Sequence, residues 1–423
     1  MKISSISVNN FKSFREETIS FGDLNILIGS NASGKSNTIN ILRFIDHIVD
    51  YGIENAISLS GGIDYVLNTS IGKSKPLSIA FSLDCEDENW VRYIDRKQDI
   101  NLLLAGFDYH FQITPHKRGS GFTITQDSLT LKYHQVLGFV KGEKCITDIE
   151  KQYTIRYRRS GSRVVADVKN STDFATSEDL KEGLDSDFIK RYLSEHEHRK
   201  ELILHFITLF MPPMFYSRDL IRIYDFDPKL MKKSSSLTSI SHLEEDGSNL
   251  ANILQGLLKS KPDRKKLENL LKDCLPFVES ISTESNFDKS VSYKIKEDYS
   301  QKPLYANFLS DGTVSVLAMI VALHFEKNAG TIILEEPERN LHPHLMNRLL
   351  EMAREESQNR QIIITTHTPE LIKHADIDTI LFAKRCEDGF THITRPADSE
   401  MVKIFVANEV GVDSLFIQGL LGG

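Results

Sequence analysis

The chain is poor in the residues that build stapled, membrane-spanning or rod-like proteins. Its 423 residues include four cysteines, Cys85, Cys145, Cys274 and Cys386, with no C-x-x-C pair among them. That scatter offers neither a disulfide framework nor a zinc site, and it fits a reducing compartment. The longest apolar stretch, Val314 to Phe325, is too short to cross a bilayer and reads as a buried helix. The start, Met1-Lys2-Ile3-Ser4-Ser5-Ile6-Ser7-Val8, lacks the unbroken apolar centre of a signal peptide, so a cytoplasmic chain with no membrane contact is expected. Positive charge is in deficit: 51 Lys and Arg against 59 Asp and Glu give a net charge of −8, which argues against uniform nucleic-acid affinity. No segment sustains apolar a and d positions over several heptads, which excludes long coiled-coil arms.

What is present begins with Gly29-Ser30-Asn31-Ala32-Ser33-Gly34-Lys35-Ser36, which fits G-x-x-x-x-G-K-[ST]. In that pattern glycines let backbone N–H groups wrap phosphates, the lysine reaches the β and γ oxygens, and the hydroxyl ligates magnesium. The flanks have the required order. Leu24-Asn25-Ile26-Leu27-Ile28 reads as a buried strand, and Ile39, Leu42, Ile45 and Val49 mark one face of the helix that follows. The N-terminus of that helix would direct its partial positive charge at the phosphates.

Beyond about Tyr51 the pattern changes. Leu77 to Leu83, Phe107 to Ile113, Phe122 to Leu131 and Tyr153 to Val165 are strand-like, separated by Gly, Ser and Asp turns. Helices are expected from about Ser177 to Phe210, Asn249 to Ser260 and Arg264 to Leu275, with a loop at Met211-Pro212-Pro213. The expected division is therefore 1–75 for the first half of an α/β domain, 76–175 for an inserted antiparallel β lobe, and 176–300 for a helical subdomain. The second half of the α/β domain would occupy 301–395, and 396–423 a C-terminal extension.

The last third carries the rest of the chemistry. Thr331-Ile332-Ile333-Leu334 reads as a buried strand with Glu335 and Glu336 at its carboxyl end, where open α/β sheets bind ligands. Glu335 can hold magnesium and Glu336 can polarise an attacking water. The helix Pro343 to Glu356 leads into a second buried strand, Gln361 to Thr366, so the two strands should be parallel. His367 lies at the end of the second strand, where a γ-phosphate would be.

These residues carry a family resemblance. Asn10-Phe11-Lys12-Ser13-Phe14, Gly29 to Ser36, Leu309-Ser310-Asp311-Gly312-Thr313, Ile332 to Glu338, Leu341-His342-Pro343 and Thr365-Thr366-His367-Thr368-Pro369 resemble the ATP-binding head of the SMC-like and RecF-like branch of the ABC ATPases. Glu335-Glu336-Pro337-Glu338 followed by His-Pro is similar to bacterial AAA-family ATPases of anti-phage systems such as Septu, and Asp246-Gly247-Ser248-Asn249-Leu250-Ala251 matches a string common in that group.

The resemblance implies a P-loop ABC-type head with a mainly parallel sheet, binding ATP and magnesium. Gly29 to Asn37 would hold the nucleotide, with Lys35 on the phosphates and Ser36 and Glu335 on the metal. Glu336 would be the catalytic base and His367 the γ-phosphate sensor. Ser310, Asp311 and Gly312 would form the signature that meets the ATP of an opposing copy, and Arg339-Asn340-Leu341 the loop joining the two sites. A head-to-tail homodimer or higher oligomer follows, controlling a separately encoded nuclease or toxin; a RecF-like repair ATPase acting on DNA is the alternative.

Two departures stand out. No glutamine occurs between Asn37 and Lys97, so the usual Q-loop residue has no counterpart. Asp311 replaces the first glycine of the commoner Leu-Ser-Gly-Gly; placed near a trans phosphate it either weakens closure or needs magnesium, or it simply caps the helix. Arg156-Tyr157-Arg158-Arg159-Ser160-Gly161-Ser162-Arg163, with Lys141, Lys144 and Lys151, offers a basic surface for DNA or a solvated strand face. His196 and His198, two residues apart, would point to different faces of a helix and make no metal site.

Overall fold

The computed structural model describes residues 1–85, 91–95, 100–137, 149–160, 163–170, 201–210, 220–240, 242–339, 341–408 and 410–421. The expectations for Lys141, Lys144, Asn340, His196, His198, the helix before residue 201 and the Met211–Pro213 loop lie outside the described residues. The fold divides into two compact units, one of Met1–Phe21, Ser36–Leu220 and Arg385–Ile393, the other of Gly22–Lys35, Ile221–Lys384 and Thr394–Gly423.

The first unit is built on an antiparallel sheet. Phe14–Ser20 pairs with Lys2–Phe11, which pairs with Leu77–Asp84, and the order continues through Ile100–Pro115, Phe122–Leu137, Ile149–Ser160 and Arg163–Asn170. Strict alternation explains it: Leu77, Ile79, Phe81 and Leu83 are buried while the residues between them are not. Phe107, Tyr109 and Phe111 on the neighbouring strand bury the same face, with the Phe81 and Tyr109 ring centroids 5.6 Å apart.

Two expectations need correction here. The antiparallel lobe does not begin at 76, because the N-terminal strands are part of its sheet. Tyr153 to Val165 is not one strand but parts of two, paired antiparallel with Ser160 opposite Arg163.

In the second unit, Ile221–Tyr224, Thr331–Glu335, Gln361–Thr366, Leu24–Ile28 and Ile380–Arg385 lie side by side in that order, every pairing parallel. Leu24–Ile28 and Gln361–Thr366 are buried along their whole length, as strands covered on both faces must be. The helix Asp311–His324 is buried from Thr313 to Leu323, and no helix among the described residues is long and apolar enough to cross a membrane.

The stretch expected to be helical, 176–300, is only partly so. Helices Leu250–Lys259 and Lys261–Cys274 form, but Val278–Ser285 and Ser290–Glu297 make an antiparallel pair. Their Ser, Thr, Val and Ile residues alternate with period two, burying Val291, Tyr293 and Ile295. The tail beyond the last expected strand adds helices Glu400–Ala407 and Val412–Ile417, anchored by fully buried Val402 and Leu415.

Candidate nucleotide site

The P-loop forms because the chain leaves a buried strand and must reverse into a helix within seven residues. Ala32 at φ 61° and Gly34 at φ 110° take left-handed backbone conformations, which let the loop reverse tightly onto the helix. Gly29 has no room for a side chain: a Cβ there would lie 2.4 Å from the Ala383 carbonyl oxygen. Ser30, Asn31 and Ala32 are exposed at the mouth while Ser33, Gly34 and Lys35 are buried.

The Lys35 ammonium donates to the carbonyls of Gly29 at 2.7 Å and Ser30 at 3.1 Å, curling into its own loop. Burial lowers its pKa, while the charges of Glu336 and Glu338 pull the other way. A buried ammonium beside the N-terminus of the helix Lys35–Tyr51 suits an anionic phosphate group. Ser36 is exposed on the first turn of the helix Lys35–Tyr51. Asn37, expected at the nucleotide, donates its amide to the Ser13 hydroxyl at 2.8 Å. Ser13 also accepts from Thr391 Oγ1, which gives the Asn10–Phe14 string a structural task.

Register aligns the carboxyl ends of three strands. Glu335 pairs with Thr365, and Thr365 pairs with Leu27, so Glu336, His367 and Gly29 emerge at the same edge of the sheet. Glu335 is half-buried as the last residue of its strand. Glu336 has φ 43°, a left-handed value uncommon outside glycine, and its N–H is held by the Thr365 carbonyl and hydroxyl at 3.0 and 3.1 Å.

The Glu336 carboxylate is the hub of the site. His367 Nδ1 lies 3.3 Å from Oε1, and Arg339 Nε donates to Oε2 at 3.0 Å. Arg339 also donates to Asp225 at 2.8 Å. Burial pushes the Glu336 carboxyl up, but Arg339 and then His367 more than offset it, and it sits below the ordinary carboxylate range. Glu338 is buried, accepts from the Thr366 hydroxyl through Oε1, and leaves Oε2 unpaired; burial raises its pKa.

At the expected signature, Ser310 caps the helix Asp311–His324, its hydroxyl accepting from Thr313 N–H at 3.1 Å. The cap is therefore Ser310. Asp311 instead pairs with Lys232, and Gly312 follows in the first turn.

Sequence reasoning missed Asp225, Lys232 and Glu338 as parts of this region. Asp225 follows the short strand Ile221–Tyr224, whose Ile-Arg-Ile-Tyr alternation was the available signal. Nothing local marks Lys232.

Other candidates are not gathered into a site. Tyr157 is buried and Arg159 is bound to Asp127, which leaves Arg156 and Arg158 exposed without an aromatic between them. Strand alternation is the reason, since neighbours on a strand face opposite sides. Among the described residues no group of three or more His, Cys, Asp or Glu is placed to hold a metal alone.

An "ATP/GTP phosphatase" of Helicobacter pylori is 23% identical over 96% of this chain and 98% of its own length. A Methanocaldococcus jannaschii protein of uncharacterised function is 26% identical over 31% of this chain, and the match spans 38% of that relative's length. Among solved structures, an SMC head bound to the C-winged helix domain of ScpA covers 93% of this chain and 98% of its own, at 15% identity and a TM-score of 0.49. The SMC head domain from Thermotoga maritima covers 93% and 99%, at 13% identity and a TM-score of 0.43.

Residues 152–373, a little over half of the chain, match the family described as "AAA domain, putative AbiEii toxin, Type IV TA system". The chain belongs to this AbiEii-like family of AAA ATPase domains.

Proposed function

We propose that the protein is an ATP-hydrolysing switch that closes head to tail with a second copy around two nucleotides and thereby controls a separately encoded effector. The observation that carries this reading is Glu336: a carboxylate kept ionised by Arg339 and His367, at the same sheet edge as the Lys35 loop. Glu336 takes a proton from the attacking water, and His367 holds Glu336 in place and faces the γ-phosphate. Lys35 leaves the Gly29 and Ser30 carbonyls for the phosphate oxygens. Ser36 and Glu335 would hold magnesium, which would offset the negative charge of the phosphates.

The exposed serine-capped helix N-terminus, a ready anion site, supports closure through Ser310, Asp311 and Gly312 of the opposing copy. The family description, with its toxin and toxin–antitoxin system, favours a role in a defence or conflict system over DNA repair. So does Tyr157, which is buried and gives the exposed Arg156 and Arg158 no aromatic to stack beside them.

The test is light scattering of Glu336→Gln with and without ATP, beside steady-state ATPase assays. An ATP-dependent dimer with turnover reduced about 10² to 10⁴-fold is expected; a rate equal to wild type would remove Glu336 from its role. Copurification with products of adjacent genes tests the effector.

A further inference from the structure

Asp311 poses a problem for a phosphate-binding signature. A carboxylate in the first turn suits the helix dipole but repels an incoming anion. The structure supplies the compensation from 79 residues away in sequence, where Lys232 pairs with that carboxylate.

Lys232 is delivered by a built support. It follows the short helix Pro228–Met231, whose Met231 is fully buried. Gly247, at φ 74°, leaves the space for that methionine: a Cβ there would lie 2.7 Å from Met231 Cγ and Sδ. The same string holds the turn from the other side, with Asp225 N–H on the Glu245 carbonyl at 2.9 Å and Asp227 N–H on that of Asp246 at 3.1 Å. Ser248 N–H closes onto Asp246 Oδ1 at 2.9 Å, and Asn249 bonds His242 and Glu244, so the Asp246–Ala251 string becomes a brace for residues 225–232.

Lys229, Lys232 and Lys233 line a cleft of about 620 Å³ with Ser234, Asn307 and exposed Phe308, directly before the Ser310 cap. Among the described residues neither Lys229 nor Lys233 makes an ion pair, so the cleft keeps a surplus of positive charge after Asp311 is neutralised.

We infer that Lys232 is a phosphate-binding residue acting in trans: its ammonium, held on Asp311, transfers to the γ-phosphate of the ATP bound by the opposing protomer. The inference rests on the head-to-tail reading above. A multiply charged phosphate outcompetes one half-exposed carboxylate for an ammonium, and a lysine's flexible stem makes the move without backbone rearrangement. The signature's positive charge is thereby supplied by Lys232 and not by the helix terminus alone.

The experiment is subunit mixing with the full chain. Lys232→Ala alone should lower ATP turnover by about ten- to a hundredfold, with Lys232→Arg retaining more because it keeps the charge. Mixing Lys232→Ala with Lys35→Ala protomers should recover activity, because the heterodimer then has one site carrying both substitutions and one carrying neither. Absence of recovery, while the control pair Lys35→Ala and Ser310→Arg does recover, would overturn the inference and leave head-to-tail closure standing. Failure of the control pair would overturn both. The double variant Lys232→Ala/Asp311→Ala should stay as slow as Lys232→Ala; return to the wild-type rate would reduce Lys232 to a counter-ion. Thermal melts identify a variant that has merely unfolded, and Lys232→Arg then decides the question.

Discussion

His367 Nδ1 lies 3.3 Å from Oε1 of Glu336. A carboxylate only accepts, so Nδ1 carries the proton of this pair. The residue after one buried strand thus sets the orientation of the residue after its neighbour. Arg339 occupies the other carboxylate oxygen, so Glu336 is clamped from two sides.

That clamp has a pH signature. Burial alone would raise the Glu336 carboxyl, and Arg339 is the first of the groups that bring it below the ordinary range. In Arg339→Gln the carboxyl should rise, so the acidic limb of the ATPase pH profile moves to higher pH. An unmoved limb would show that Arg339 does not tune Glu336.

Glu338 predicts the opposite behaviour in stability. Its pKa is raised by burial, so the folded state favours the protonated form, and stability is lost as pH rises through the folded pKa. Glu338→Gln cannot ionise and still offers an acceptor to Thr366. Its melting temperature should therefore gain on wild type as pH rises through the range above ordinary carboxylate pKa values. A constant difference across that range would refute the assignment.

A third prediction concerns the first unit. Asp127 is fully buried and accepts from Tyr109 OH at 2.7 Å, Arg159 Nε at 3.0 Å and Ile203 N–H at 3.0 Å. Burial holds its carboxyl above the usual range in spite of Arg159. Arg159→Met leaves that carboxylate without its cation and should cost about 3–5 kcal/mol by denaturant unfolding. Because the partners share one network, Asp127→Asn/Arg159→Met should cost less than the sum of the two single changes.

Lys35→Ala removes the cation that the P-loop otherwise spends on Gly29 and Ser30. ATP affinity, measured by fluorescent-nucleotide titration, should fall by about ten- to a hundredfold. Unchanged affinity would place the triphosphate elsewhere.

Much of the site was legible because its parts are local. Leu24–Ile28 followed by Gly29 to Ser36 is a strand, a loop and a helix start within a single short run, and each piece shows in composition. Thr331–Glu335 and Gln361–Thr366 are apolar throughout, so their burial and the positions of Glu335, Glu336 and His367 at their ends followed without knowledge of the neighbours. Val278–Ser285 and Ser290–Glu297 were missed for a comparable reason: serine-rich alternation is a weak signal beside two strong helices.

By itself, then, the sequence determined which segments are buried strands, where the chain must turn, and which ionisable residues stand at the turns. Those properties depend on residues within a few positions of one another. Only the tertiary structure decided that Lys2–Phe11 joins the sheet of Leu77–Asp84, that Lys232 answers Asp311, and that Asp225 reaches Glu336 through Arg339. Periodicity states which face of an element is covered but not what covers it. A pairing across dozens of residues is selected by packing, which no short window of sequence contains.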